Sequence, residues 1–400
     1  MKHFSIILTL LCLLPLSGWE LKVVPTLMVN IDDQVRYTQP GRPLQIKTVS
    51  KVEPGQPFNV YAILIFKNPL AKGGKFSGHI TLTSPDGKTV IPAESAEMFK
   101  LPDGARGIFI SNRHMKVIFN APEKRGSYRF TLTVQDENNV AKSVSSNIEL
   151  VDSITDFRMM EMKEFNRLLY TYYVNPRPER LMAALNTFLT EGAVEIRQRG
   201  TMTVALPTIL CFARIFRNNP QFHDELAQMS GTDKPGNRFL ALLFHNIGEP
   251  FLTQYRDKIN PHILKQISHY KKPLLYDNEK IDYPQQIALL WAEFYAYGKF
   301  ATIKRIADEL RKRPELPLDE IKQLAATRQK PDEAKKQLLL NYMVRTAATG
   351  SLTREIARGH RLVKSYLETI YAKKLYPDEQ SGELISGFLK TAISTQGNKK

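Results

Sequence analysis

The stretch "SNIELVDSITDFRMMEMKEFNRLLYTYYV", Ser146 to Val174, decides how this chain is built. Before Asp152, apolar and polar residues take turns. After Asp156, apolar residues recur three and four apart, as on one face of a helix. Asp152–Asp156 is therefore the predicted junction, with Ser153 or Thr155 available to cap the incoming helix.

Working back from the junction, the pattern is β from about Leu21. In "GSYRFTLTVQDEN", Tyr128, Phe130, Leu132 and Val134 alternate with Arg129, Thr131, Thr133 and Gln135. One apolar and one polar face make a half-buried antiparallel strand. "PFNVYAILIF" repeats the device with Phe58, Val60, Ala62, Leu64 and Phe66. "HITLTSPDGKTVI" predicts two strands around Asp86-Gly87, where glycine accepts the positive φ of a tight turn. "LQIKTVSKV", "GIFIS", "MKVIFNA" and "SNIELVD" are further strands. About seven short strands with turns between them predict an antiparallel β-sandwich.

Working forward, the chain reads as helical to about Ile393. Asn175-Pro176, Asn219-Pro220 and Asn260-Pro261 each place asparagine where it can cap a helix and proline where its missing N–H costs nothing. Their separations of 44 and 41 residues leave two arrangements open, stacked helix pairs or an irregular bundle. "TILCFARIFRNNP" predicts a helix from near Pro207 to around Asn218. It is apolar nearly all round, so Cys211 is expected as core packing with a raised thiol pKa rather than as a nucleophile.

The first residues, "MKHFSIILTLLCLLPLSGWE", combine Lys2, an apolar run and small residues before a cut near Gly18. That order predicts a cleaved secretory signal, and the run is too short for a stable membrane anchor. Cleavage would remove Cys12 and leave Cys211 without a disulfide partner in its own chain. It would also leave 55 basic residues against 40 acidic ones, a net +15. This surplus favours acidic or polyanionic partners, and export argues against nucleic acid. The predicted layout is signal peptide 1–18, immunoglobulin-like β-sandwich 19–152, all-helical domain 156–395 and a disordered tail 396–400.

Two resemblances follow from these residues. "PGQPFNVYAILI" and "APEKRGSYRFTLTVQDENNVAKS" resemble the strands of bacterial immunoglobulin-like and macroglobulin-like envelope modules, which implies the sandwich and transfers no binding activity. "LLYTYYVNPRPERLMAALNTFL", "PTILCFARIFRNNP" and "QQIALLWAEFYAYGKFATIKRIADEL" resemble an uncharacterised family of bacterial exported helical proteins. That implies a domain and no site.

No local catalytic pattern stands out. The histidines lack zinc-protease spacing, there is no cysteine pair, and no nucleophile elbow or phosphate-cradling loop is present. The sequence assigns no catalytic residue, no cofactor and no metal. Lys299, Lys304, Arg305, Arg311, Lys312 and Arg313 form a basic run opposite the apolar stripe Phe300, Ile303, Ile306 and Leu310. It is either a solvated face or a docking patch for an anionic partner. Tyr170, Tyr172, Tyr173, Trp291, Phe294, Tyr295 and Tyr297 are either core or the wall of a glycan groove. The expected function is non-catalytic: a binding or scaffolding component of the bacterial envelope, periplasmic or extracellular, with a protein or envelope polymer as partner. The alternatives are a glycan or peptide hydrolase with dispersed carboxylates and a peripheral protein docking on anionic membrane.

Overall fold

The computed structural model describes residues 19–37, 46–92, 94–153, 155, 157–192, 205–231, 237–271, 274–275, 280–311, 319–320, 323, 332–375 and 382–390. The predicted signal peptide and tail, the segment 232–236, and Lys312 and Arg313 lie outside the described residues. The N-terminal part is built of strands and the C-terminal part of helices, with the change falling between Leu150 and Met162. The described residues divide into two compact units, one lying within 1–25, 60–116 and 124–149, the other within 26–59, 117–123 and 150–400.

In the sheet unit, β1 (Trp19–Thr26), β3 (Phe58–Phe66) and β7 (Gly107–Val117) form one sheet in the order β1-β3-β7. The other runs β9-β8-β4-β5, from β9 (Ala141–Leu150), β8 (Gly126–Asp136), β4 (Gly74–Thr83) and β5 (Thr89–Ile91). In it β6 (Ala96–Leu101) also pairs β4. The register of β4 on β8 sets Ile80 opposite Leu132 and Leu82 opposite Phe130, so the predicted inward residues meet on one face. Tyr128, Phe130, Leu132 and Val134 are all buried. On the outward face Thr131 meets Ser145 at 3.0 Å and Thr133 meets Ser143 at 2.8 Å. Gly87 takes φ 82° at the hairpin, the conformation predicted for it.

Three strand expectations change. Of "LQIKTVSKV", only β2 (Lys51–Val52) is a strand. "GIFIS" and the start of "MKVIFNA" belong to the single strand β7, which runs on through Asn112, Arg113 and His114. Ser111, closing "GIFIS", is buried and takes the Ala62 amide on its hydroxyl at 3.3 Å. β1, which alternates only from Trp19 to Val23, and β6, which carries no clean alternation, were not predicted.

The helical unit begins with an element that the predicted sandwich left out, α1 (Ile31–Tyr37). Its acidic first turn, Asp32 and Asp33, suits the positive end of a helix. The remaining helices are α2 (Met162–Thr171), α3 (Leu181–Thr187), α4 (Leu206–Arg217), α5 (His223–Met229), α6 (Asn237–Ile247), α7 (Glu249–Tyr255) and α8 (Pro261–Ile267). After them come α9 (Pro284–Tyr297), α10 (Phe300–Asp308), α11 (Glu333–Ala357), α12 (Arg361–Ala372) and a helix at 382–390. No helix among the described residues is long and apolar enough to cross a membrane.

Of the three asparagine-proline pairs, one caps as predicted. Asn260 accepts the His262 amide at 2.8 Å. Asn219 instead donates to Ile215 O at 2.9 Å and to Tyr172 Oη at 3.2 Å, and the first helical turn after Asn175-Pro176 starts only at Pro178. Ser153 and Thr155 do not cap either: the Thr155 amide donates to Ser153 Oγ, and α2 starts after Glu161. Asp332 caps α11 through the Lys335 amide at 2.8 Å.

Candidate functional site

Helix α4 ends where the sequence places it, and Ile209 to Phe216 are buried without interruption. It packs on α9, and α9 also packs on α11. Where side chains on these helices are small, the packing leaves a cleft of about 370 Å³.

Each wall is one helical face. From α9 come Pro284, Ile287, Ala288, Trp291, Ala292 and Tyr295, spaced by three and four. From α11 come Ala347, Ser351, Arg354 and Glu355, followed by Arg358 one turn on. Ala288 and Ala292 on α9, with Ala347 and Ser351 on α11, hold less volume than the leucines that fill the rest of the core, and that missing volume is the cleft. Helix α2 adds Phe165, Asn166, Leu169 and Tyr170, and α4 adds Pro207, Thr208 and Cys211.

The polar groups are arranged around one buried carboxylate. Glu355 is 6% exposed and accepts from Arg358 Nη1 at 2.9 Å. It also accepts the Tyr295 hydroxyl, and burial together with the Glu355 charge pushes that phenol well above the usual range. Tyr295 in turn stacks beside Trp291, with ring centroids 5.8 Å apart, and meets Tyr170 edge-on at 4.9 Å. Glu355 thus fixes the ring that joins the aromatic wall. Ser351 donates back to Ala348 O at 2.9 Å.

Cys211 is 3% exposed and lies on a core helix, as the sequence predicts, yet it also reaches the cleft floor. Burial pushes its thiol up to about 12. No histidine is among the described residues lining the cleft, and the one carboxylate there, Glu355, is held by Arg358.

The aromatic set splits. Tyr170, Trp291 and Tyr295 line the cleft, whereas Tyr172, Tyr173, Phe294 and Tyr297 do not. Tyr172 binds Asn219, and Tyr297 donates to Arg214 O at 3.0 Å. Tyr173 stacks on His360, whose Nδ1 accepts the Val363 amide at 3.3 Å as the cap of α12. That leaves the His360 proton on Nε2, which donates to Tyr173 Oη at 2.9 Å. Burial lowers His360 to about 4, keeping it neutral. Of the other histidines of the helical unit, His245 packs beside Tyr270 with its Nε2 lacking a hydrogen-bond partner among the described residues, and three bond locally. His223 Nε2 meets Phe216 O, His262 meets Gln266, and His269 meets Lys265 O.

The basic run is partly committed. Phe300, Ile303, Ile306 and Leu310 are buried as predicted, while Lys299 and Arg311 are exposed and Lys304 and Arg305 half-buried. Lys304 holds Asp308 at 3.0 Å, and Lys299 sits over the Tyr297 ring. Glu355 is the one carboxylate among the described residues lining the cleft, so the dispersed acids considered from sequence do not meet as a pair there. The sequence offered a groove walled by the aromatic set as one of two readings, and three of its seven residues line this cleft. A second sequence signal is the set of alanines on the apolar faces of α9 and α11.

No family model matches this chain, and no curated protein matches it. Among solved structures it is similar to a family 123 glycoside hydrolase from Clostridium perfringens, studied for glycolipid glycan hydrolysis. The identity there is 9% and the TM-score 0.20, covering 45% of this chain and 37% of that one. It is similar to the CARDB domain of a Pyrococcus furiosus protein at 12% identity and TM-score 0.20, covering 34% and 90%. It is also similar to a superoxide reductase from Ignicoccus hospitalis at 10% identity and TM-score 0.17, covering 26% and 75%. Likeness this low carries no argument about fold or function.

Proposed function

We propose that this protein is a non-catalytic binding component of the bacterial cell envelope, whose helical unit holds a ligand in the cleft between α9 and α11. The observation that carries this reading is the state of the cleft's reactive groups. The Cys211 thiol is pushed up to about 12, the Ser351 hydroxyl is spent on Ala348, and Glu355 is tied to Arg358 and Tyr295. A nucleophile or general base needs the opposite, a group poised to exchange a proton. An aromatic wall beside fixed polar groups is what recognition needs.

Location rests on the first eighteen residues, whose order of charge, apolar run and small residues supports export to the periplasm or the cell surface. The two sheets, in one of which β4 pairs antiparallel with β5, β6 and β8, support reading the N-terminal part as an immunoglobulin-like sandwich that engages a protein or envelope polymer. The resemblance to exported helical proteins supports the same placement for the rest.

Tryptophan fluorescence tests the binding reading. The chain has two tryptophans, Trp19 and Trp291, so Trp19→Phe leaves the one in the cleft. The filtered small-molecule fraction of a lysozyme-digested envelope is expected to shift the emission of Trp291. An unchanged spectrum across saturating digest overturns the proposal.

A further inference from the structure

The cleft carries one charge that its own walls do not answer. Arg358 is answered by Glu355 at 2.9 Å, and those two cancel. Arg354, beside Glu355 on the same lining face of α11, is exposed and has no ion-pair partner among the described residues. The described lining therefore holds two arginines against one glutamate, a net charge of +1. Asn166 and Thr208, facing from α2 and α4, make no side-chain hydrogen bond among the described residues. The unspent groups are thus a guanidinium, an amide and a hydroxyl. They surround an apolar floor and the Tyr170, Trp291 and Tyr295 rings.

We propose that the cleft binds a small organic monocarboxylate with a flat or apolar body. This rests on the binding reading above and names its ligand class. The planar Arg354 fork matches a carboxylate with two parallel N–H···O bonds. The body lies along the aromatic wall, and Asn166 and Thr208 take its neutral polar groups. A dianion such as a phosphate monoester is disfavoured because the lining's net charge of +1 answers one negative charge and leaves the second unpaired. The volume of about 370 Å³ suits a ligand of a few rings or residues.

Matched probe pairs test this by calorimetry on the full chain. N-acetyl-phenylalanine is set against N-acetyl-phenylalaninamide, and p-nitrophenyl glucuronide against p-nitrophenyl glucoside, so each pair differs at the carboxylate. In at least one pair the acid is expected to bind about tenfold tighter or more than its neutral twin. The pair that responds tells a peptide-like from a saccharide-like source. Arg354→Gln, an exposed change that leaves the melting temperature unaltered, is expected to erase the preference. Neutral twins that bind as tightly, or a preference that survives Arg354→Gln, overturn the carboxylate assignment while leaving the cleft a binding site. Failure of both acids at about 1 mM also overturns it, and the digest titration of Trp291 then shows whether the cleft binds anything.

Discussion

The carbonyl of Gly298 accepts a hydrogen bond from the Asn30 side-chain amide at 3.1 Å, across 268 positions of sequence. The same oxygen accepts the Tyr366 hydroxyl at 2.9 Å, so the end of α9 ties the segment before α1 to α12. Gly298 sits at φ 66°, the left-handed conformation that closes α9.

Gly298→Ala is therefore expected to destabilise the helical unit by about 2 kcal/mol or more. The left-handed backbone accounts for about 1 kcal/mol of that. The rest comes from a Cβ that would overlap the Asn30 amide and the Tyr173 ring. Asn30→Ala, which removes two buried hydrogen bonds, the one to Gly298 O and the one accepted from Gln34 Nε2 at 3.3 Å, and creates no clash, should cost about 1–2 kcal/mol. Urea unfolding of both variants checks the order; a Gly298→Ala protein as stable as wild type would contradict it.

His360 gives the unit an acid-sensitive joint. Its folded pKa, about 4, lies below the ordinary value of 6.5, so folding favours the neutral ring. Its contribution is fully present above pH 6.5 and is lost as pH falls from there to about 4, with no further change from this group below. The loss is no more than about 3 kcal/mol. His223 is lowered by burial too and acts with the same sign. Stability measured at pH 7, 5 and 4 should fall less steeply in His360→Gln than in wild type; equal slopes would remove His360 from the account.

Cys211 should resist alkylation in the native protein. With a thiol near 12, about one molecule in ten thousand carries the thiolate at pH 8. Iodoacetamide labelling at pH 8 is expected only after unfolding, and rapid native labelling would show that the cleft floor is open to reagent.

Glu355→Ala should lower the melting temperature by several degrees. It leaves the Tyr295 hydroxyl and the Arg358 guanidinium without their acceptor, a loss of about 1–2 kcal/mol given that Arg358 faces solvent. Glu355→Gln keeps an acceptor and should recover most of it. Because Tyr295 orients the aromatic wall, Glu355→Ala in the Trp19→Phe background should also shift Trp291 emission, whereas Glu355→Gln should not.

Periodicity by itself determined the type of the strongly patterned elements, since the alternation in β8 and the three-four spacing in α2 and α10 are local consequences of backbone geometry. It also determined that Cys211 is packed, because α4 has no polar face to spare, and that Gly87 turns a hairpin. Tertiary structure alone decided which faces meet. The alanines of α9 and α11 are ordinary core residues in a linear reading. They become a cleft only because those two helices pack together near Tyr170. Arg354 and Arg358 look alike in sequence, and only packing commits one to Glu355 and leaves the other unspent. Likewise α1 reads as part of a strand-rich stretch until Asn30 finds Gly298. Such contacts join residues far apart in the chain, and the free energy that selects them is buried area and hydrogen bonding summed over the whole core, which no local pattern contains.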